Sequence, residues 1–430
     1  MAERDAPRTI IGTYLVSTAL FTLALSVIWS VNTLFLLAAG LSIFQVFLVN
    51  TAFTIGDLVF QVPTGVLADT LGRKVSFLLS IGTLVVSTLA YVAAAQYDLG
   101  IWAFALASVA IGLGFTFYSG ALEAWLVDAL DRVGYGRPKE QIFAWGSMVF
   151  SSAMLVGTLL GGLLGEIDLE LPYVVRAAAL VVTFVIVALA MDDSAFERKA
   201  LTLRAFGERT RRIAATGLRV GWGNPAVRPL FYVSIVQGAF YIFGFYSWQP
   251  YFLDLLGRQA VWVTGVVASV FALAGICGNA LVRPIMTPRN RPPRAAGRVL
   301  STVAVLQALA IVAVGAVWFA PGAQGGGVVP FLLGASFYWV WGLAFGIIRP
   351  VRQAFLNRHI PSETRATILS VDVLFQDVGE AVGQPVLGYV SQVGSIALAW
   401  LFGGVVLFAA PALYARAGMA EAESEEAADA

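Results

Sequence analysis

Gly65-Val66-Leu67-Ala68-Asp69-Thr70-Leu71-Gly72-Arg73-Lys74 closes one long apolar run and opens the next. Gly65 and Gly72 permit close backbone approach and a tight turn. Asp69, Arg73 and Lys74 are too charged for hydrocarbon, so they mark a short loop at a water boundary. A charged turn between two apolar runs is the signature of consecutive membrane crossings, and the rest of the chain repeats the pattern.

The 430 residues are 59% hydrophobic and only 12% charged, with mean hydropathy +0.81. An average soluble domain carries about twice that charge. A crossing needs about 20 mostly apolar residues, and breaking the chain at charged or Gly/Pro-rich points predicts twelve. They cover roughly 10–37, 41–68, 73–95, 99–130, 139–165, 171–191, 228–255, 259–286, 296–319, 328–357, 364–391 and 395–416. The expected fold is therefore an all-α integral membrane protein. The apolar run after Arg8 is too long for a signal peptide and lacks a cleavage-like break, so it is expected to stay as the first span. One cysteine, Cys277, and one histidine, His359, exclude an intrachain disulfide and a Cys/His metal cluster. No metal or cofactor is expected.

Basic residues set the orientation. With the N-terminus inside, the inner segments hold Arg4, Arg8, Arg73, Lys74, Arg132, Arg137, Lys139 and the arginines of 192–227, 283–298 and 358–365. The outer face holds little more than Arg258 among acids. Both termini are expected in the cytoplasm. The chain then divides into a six-helix bundle at 1–191, a linker at 192–227, a second bundle at 228–418 and an acidic, disordered tail at 419–430. Within the linker, Phe206 to Trp222 reads either as a basic amphipathic helix on an anionic membrane surface or as a plain tether.

The two bundles read as a repeat. Gly112-Leu113-x-Phe115 and Ala124-x-Leu126 recur 230 residues later as Gly342-Leu343-x-Phe345 and Ala354-x-Leu356. Gly157-x4-Gly162 recurs as Gly383-x4-Gly388. The 65–74 motif does not recur: after Gly278 its acidic position is Val282, followed by Arg283. Paired halves fit a transporter that rocks about a central site.

The order G-x-x-x-D-x-x-G-[RK]-[RK] resembles the loop between helices 2 and 3 of the major facilitator superfamily of secondary transporters, and the resemblance extends over the whole chain. It implies that Asp69 and Arg73 contact neighbouring helices and hold the outward-facing state, joined by Asp128 at the end of helix 4. Thr70 stands where the family has a base directly after the acid. Helix 5 is similar, more loosely, to the glycine motif of the family's exporters, through Ala144, Ala153, Gly157, Thr158, Gly161 and Gly162. Small residues so spaced also serve simple helix packing.

Ionisable groups at mid-membrane are costly and point to function. Asp57 in helix 2, and Asp377 and Glu380 in helix 11, are candidate proton carriers, with Glu123 of helix 4 beside them. Hydrogen-bonded packing is the plainer role for each. Asp372, Gln376, Glu380 and Gln384 form one polar stripe. The fold the resemblance implies would let Glu123 pair with Arg349 or Arg352 of helix 10 as an inner gate. Arg176 is expected to snorkel or to pair with Glu166 or Asp168. Trp29, Asn32, Tyr118, Trp145, Tyr241, Tyr246, Trp248, Gln249, Tyr338 and Trp341 are the candidate cavity wall, fewer than half of them expected to touch substrate.

The expectation is a monomeric, proton-coupled transporter of small molecules, an exporter of lipophilic or cationic compounds ahead of a nutrient symporter. A membrane enzyme or receptor is the rival from another class. Its partners are a small solute, protons and the lipid bilayer, with no nucleic acid and no ATP-binding loop. Only three of 27 basic residues are lysine (Lys74, Lys139, Lys199), which with abundant Ala and Gly hints at a bacterial inner membrane.

Overall fold

The computed structural model describes residues 2–192, 215, 219, 221–257, 260–286, 295–360 and 364–429. Most of the proposed amphipathic linker and Arg258 lie outside the described residues, as does the side chain of Asp69. Nine predicted crossings are single helices: α3 (Ile43–Leu71), α4 (Arg73–Gln96), α7 (Glu140–Ile167), α8 (Leu171–Ala190), α9 (Arg228–Leu256), α10 (Trp262–Met286), α11 (Ala295–Val317), α12 (Val328–His359) and α13 (Arg365–Val393). The other three are each split in two. The first becomes α1 (Ala2–Ser26) and α2 (Asn32–Ala38), and the fourth α5 (Gly100–Tyr118) and α6 (Ala121–Arg132). The twelfth becomes α14 (Ile396–Leu407) and α15 (Ala409–Asp429).

Eleven segments among the described residues are long and apolar enough to cross a membrane. Of the predicted crossings, α13 falls short of that measure, because Arg365, Asp372, Asp377 and Glu380 lower its hydropathy. Its burial explains how it persists: Asp372, Asp377, Glu380 and Gln384 are all buried against protein.

The tail departs from expectation. Instead of ending near 416, α15 runs helically to Asp429. Its Ala-rich sequence has high helix propensity. Glu421 is fully buried, 3.1 Å from the Arg358 guanidinium and 3.5 Å from the His359 ring at the end of α12.

The chain forms two compact units. One combines most of the first half with Ala260–Val266; the other combines most of the second half with Ser42–Leu48. Each is closed by helices that approach to backbone contact. In the first unit, α7 lies along α1, where a Cβ at Gly157 would strike Ser26 and one at Gly161 the Val27 carbonyl. Ser30 Oγ donates to the Thr158 carbonyl across the same seam at 3.0 Å. In the second unit, α13 lies along α9 with Gly383 against the Ala239 carbonyl. Gly112 of α5 presses on α3 at Phe53 and Asp57, and Gly342 of α12 presses on α10 at Phe271 and Ala274. The pairs that matched at fixed offset, Gly157 with Gly383 and Gly112 with Gly342, thus do the same job in each half.

Candidate functional site

The 65–74 motif forms the tight turn its glycine spacing predicts. Gly72 alone separates α3 from α4, with φ of +107°, where a side chain would be strained. Lys74, at the start of α4, donates from Nζ to the carbonyls of Ala188 and Met191, at 2.7 and 2.6 Å. Those carbonyls end α8, where cations satisfy unpaired acceptors and the helix dipole. Trp125 Nε1 donates to the Asp192 carbonyl at 3.0 Å, and Arg132 pairs with the Asp192 carboxylate at 2.8 Å. Sequence reasoning missed this clasp, because nothing in 188–192 marks it as a landing point. Arg73 is half-buried. Asp128 does not pair with it: Asp128 lies on the exposed face of α6 and has no hydrogen bond or ion pair among the described residues. The buried face of α6 is taken by Trp125, Leu126, Ala129 and Leu130.

Asp57 sits at the middle of α3, half-buried, its backbone against Gly112. Among the described residues its carboxylate has no hydrogen bond or ion pair. Glu123 lies in the first turn of α6, where a helix N-terminus favours negative charge. Arg176 does not snorkel: it is 2% exposed. The acids named for it serve backbone N–H groups instead, Glu166 that of Trp262 and Asp168 that of Glu170.

The densest polar arrangement lies in the second unit. Arg352 reaches Asp372 of α13 through a two-pronged pair, Nη1 to Oδ2 at 2.7 Å and Nη2 to Oδ1 at 2.6 Å. Ser234 Oγ accepts from Arg352 and donates to Asp372, and the Leu230 carbonyl accepts from the same guanidinium. Arg352, one of the two arginines named as gate candidates, is therefore committed to Asp372 within its own unit. Alongside runs a chain of side chains: the Tyr414 hydroxyl donates to Gln237, whose amide donates to Gln307 at 3.2 Å. On α13, Gln376 donates to Glu380 at 2.8 Å, as the four-residue stripe anticipates.

Beside this network opens a cavity of about 220 Å³, whose lining includes Gln237, Gln307, Gln376, Arg349 and Arg352 together with Phe240, Tyr241, Trp341 and Phe345. Tyr241 and Phe345 stack with centroids 5.4 Å apart and planes 10° from parallel. Aromatic rings with a small number of polar groups among them are the usual make-up of a small-molecule site.

Tyr241 and Trp341 of the predicted wall thus reach a cavity. Tyr338, Trp248 and Gln249 do not line it; they are buried, Tyr338 among Phe252, Phe271, Trp341 and Trp400. Tyr246 packs edge-on against Phe245. In the first unit, Asn32 accepts from Tyr173 and donates to Asn50, which makes it part of the core. Tyr118 packs on Phe21 and Phe77, Trp29 is half-buried in the turn between α1 and α2, and Trp145 is 42% exposed. Glutamines 237 and 307, Ser234 and Tyr414 carried no sequence signal beyond being polar in apolar runs.

This architecture has known counterparts. A structure of the nucleoside transporter NupG superposes with TM-score 0.72 at 15% identity, covering 96% of this chain and 98% of that one. A POT family transporter in complex with 5-aminolevulinic acid gives 0.71 at 12% identity, covering 94% of each. A D-xylose-proton symporter gives 0.68 at 14%, covering 95% and 97%. A search of curated protein sequences found no significant match. At such identities the likeness speaks for the fold. A sequence profile described as Major Facilitator Superfamily matches residues 14–341, most of the chain, in accord with the motif at 65–74. This multi-pass membrane protein belongs to the Major Facilitator Superfamily.

Proposed function

We propose that the chain is a proton-coupled secondary transporter of small organic molecules working by alternating access, with solute bound at the second-unit cavity. The observation that carries the reading is that cavity, where three glutamines, two arginines and four aromatic rings converge beside a buried acid-bearing helix. Asp57 is the leading proton carrier, as a mid-membrane carboxylate with no hydrogen bond or ion pair among the described residues. Glu123, Asp377 and Glu380 are further candidates. The distribution of basic residues favours cytoplasmic termini, and the scarcity of lysine with abundant Ala and Gly favours a bacterial inner membrane.

Export by proton antiport is favoured by the small-residue pattern at Gly157, Gly161 and Gly162, although these glycines are fully used in packing α7. Uptake by symport is the second reading, favoured by likeness to a D-xylose-proton symporter. Proteoliposomes carrying a pH-sensitive dye test both: solute addition should move protons, and the sign of that movement assigns direction. Asp57→Asn should abolish the solute-linked proton movement while the protein still inserts and melts normally. Undiminished coupling in that variant would remove Asp57 from the mechanism.

A further inference from the structure

We infer that the second-unit cavity selects a small organic anion with a planar, unsaturated body, its acid group held by Arg349. This deepens the transport reading and rests on it. Two arginines reach the cavity, and they are not alike. Arg352 is already neutralised by Asp372, with Ser234 and the Leu230 carbonyl accepting further N–H groups. Arg349, three residues earlier on α12, is exposed to the opening and has no hydrogen bond or ion pair among the described residues. A guanidinium stays charged under all ordinary conditions, so an arginine at membrane depth calls for water or an anionic partner. A carboxylate is the partner its planar fork is built for, through two parallel hydrogen bonds.

The surroundings restrict the remainder of the solute, beyond its acid group. Glutamine amides offer both donors and acceptors, so a carbonyl, hydroxyl or ring nitrogen fits beside the charge. The stacked Tyr241 and Phe345, with Trp341 nearby, present faces and edges to an unsaturated ring. A cavity of about 220 Å³ has room for a single ring with short substituents. A cation fits poorly. The carboxylate of Asp372 is spent on Arg352, and neither Asp377 nor Glu380 is among the residues that line the cavity. Of the lipophilic or cationic compounds expected from the sequence, the site's chemistry thus runs against the cationic ones.

Three probes sharing one ring test this: benzoate, benzamide and benzylamine, titrated calorimetrically onto the full-length protein in lipid nanodiscs. Benzoate should bind at least tenfold tighter than the other two. Arg349→Gln should remove that preference while leaving benzamide binding in place, and Arg349→Lys should restore part of it. Melting without probe establishes that each variant is folded. Equal or tighter binding of benzylamine, no binding of benzoate to the wild-type protein, or an unchanged preference in Arg349→Gln overturns the proposal. Proteoliposome uptake of radiolabelled benzoate separates the two readings: binding without any uptake sinks transport and spares the anion site. Proton-linked uptake of the amine or amide in the absence of benzoate binding does the reverse.

Discussion

Replacing Asp372 by Asn is the sharpest perturbation of the second unit. The side chains of Arg352 and Asp372 are only 16% and 10% exposed, and four hydrogen bonds converge on the guanidinium. Asn keeps the shape of Asp but removes the charge, leaving a buried guanidinium with a neutral amide, a hydroxyl and one carbonyl. Breaking a buried pair from one side costs about 3–5 kcal/mol. At ~2 °C of melting temperature per kcal/mol for a domain of this size, the loss is on the order of 6–10 °C. Arg352→Met should cost less, because a stranded carboxyl group can take up a proton and become neutral, whereas the guanidinium cannot lose one. The double variant Arg352→Met with Asp372→Leu removes both charges and should recover most of the loss. Thermal unfolding in detergent micelles, followed by tryptophan fluorescence, reads all three. An Asp372→Asn protein melting within a degree or so of wild type, or a double variant no better than the singles combined, would refute the idea that this pair is a coupled, desolvated unit.

Lys74→Met should loosen the end of α8 by about 2 kcal/mol, since two carbonyls lose an ammonium donor; faster hydrogen exchange across Val187–Met191 checks it. Arg132→Ala, at an exposed pair, should change that exchange little. Gly161→Ala should prevent α7 from seating on α1 and sharply lower the yield of monodisperse protein, because the new methyl meets the Val27 carbonyl. Gly82→Ala, with nothing within reach of the added carbon, should instead stabilise α4 by up to ~1 kcal/mol; gel filtration and melting compare the two. Glu421→Ala should release the end of α15 from Arg358 and His359, seen as proteolytic trimming of the C-terminus at unchanged melting of the remaining helices.

Much of the architecture was legible in the chain because bilayer solvation is severe. Runs of apolar residues, a charged turn at 65–74 and glycine spacing give away the crossings and the positions at which helices approach closely. Gly157 and Gly383 could be matched by eye because close helix contact admits so few residues. The site was less readable. Mid-membrane acids announce a cost but not how it is met: Asp372 finds Arg352, 20 residues away on a helix whose facing residues no periodicity specifies, while Asp57 has no such partner among the described residues. Bulky aromatics were worse guides, since a ring in an apolar run serves a core as readily as a cavity, and Tyr338, Trp248 and Tyr118 went to packing. The tail misled for a different reason. Its acidic composition reads as solvated, and only the tertiary fold provides Arg358 and His359 to hold Glu421 in place.

Gly120, with φ of +71°, interrupts the fourth crossing between α5 and α6, and the same 230-residue offset that relates the halves puts Pro350 at the matching place in α12. Both residues weaken a helix, but by different means. A left-handed glycine cuts the hydrogen-bond ladder and leaves two rods joined by a couple of rotatable bonds. A proline within a continuous helix deletes one rung and permits only bending. The segment bearing Glu123 is therefore hung on a swivel, while the one bearing Arg349 and Arg352 flexes like a bow. Two halves descended from one pattern need not travel equally far, and labels placed on either side of these two joints would register a larger angular excursion in the first.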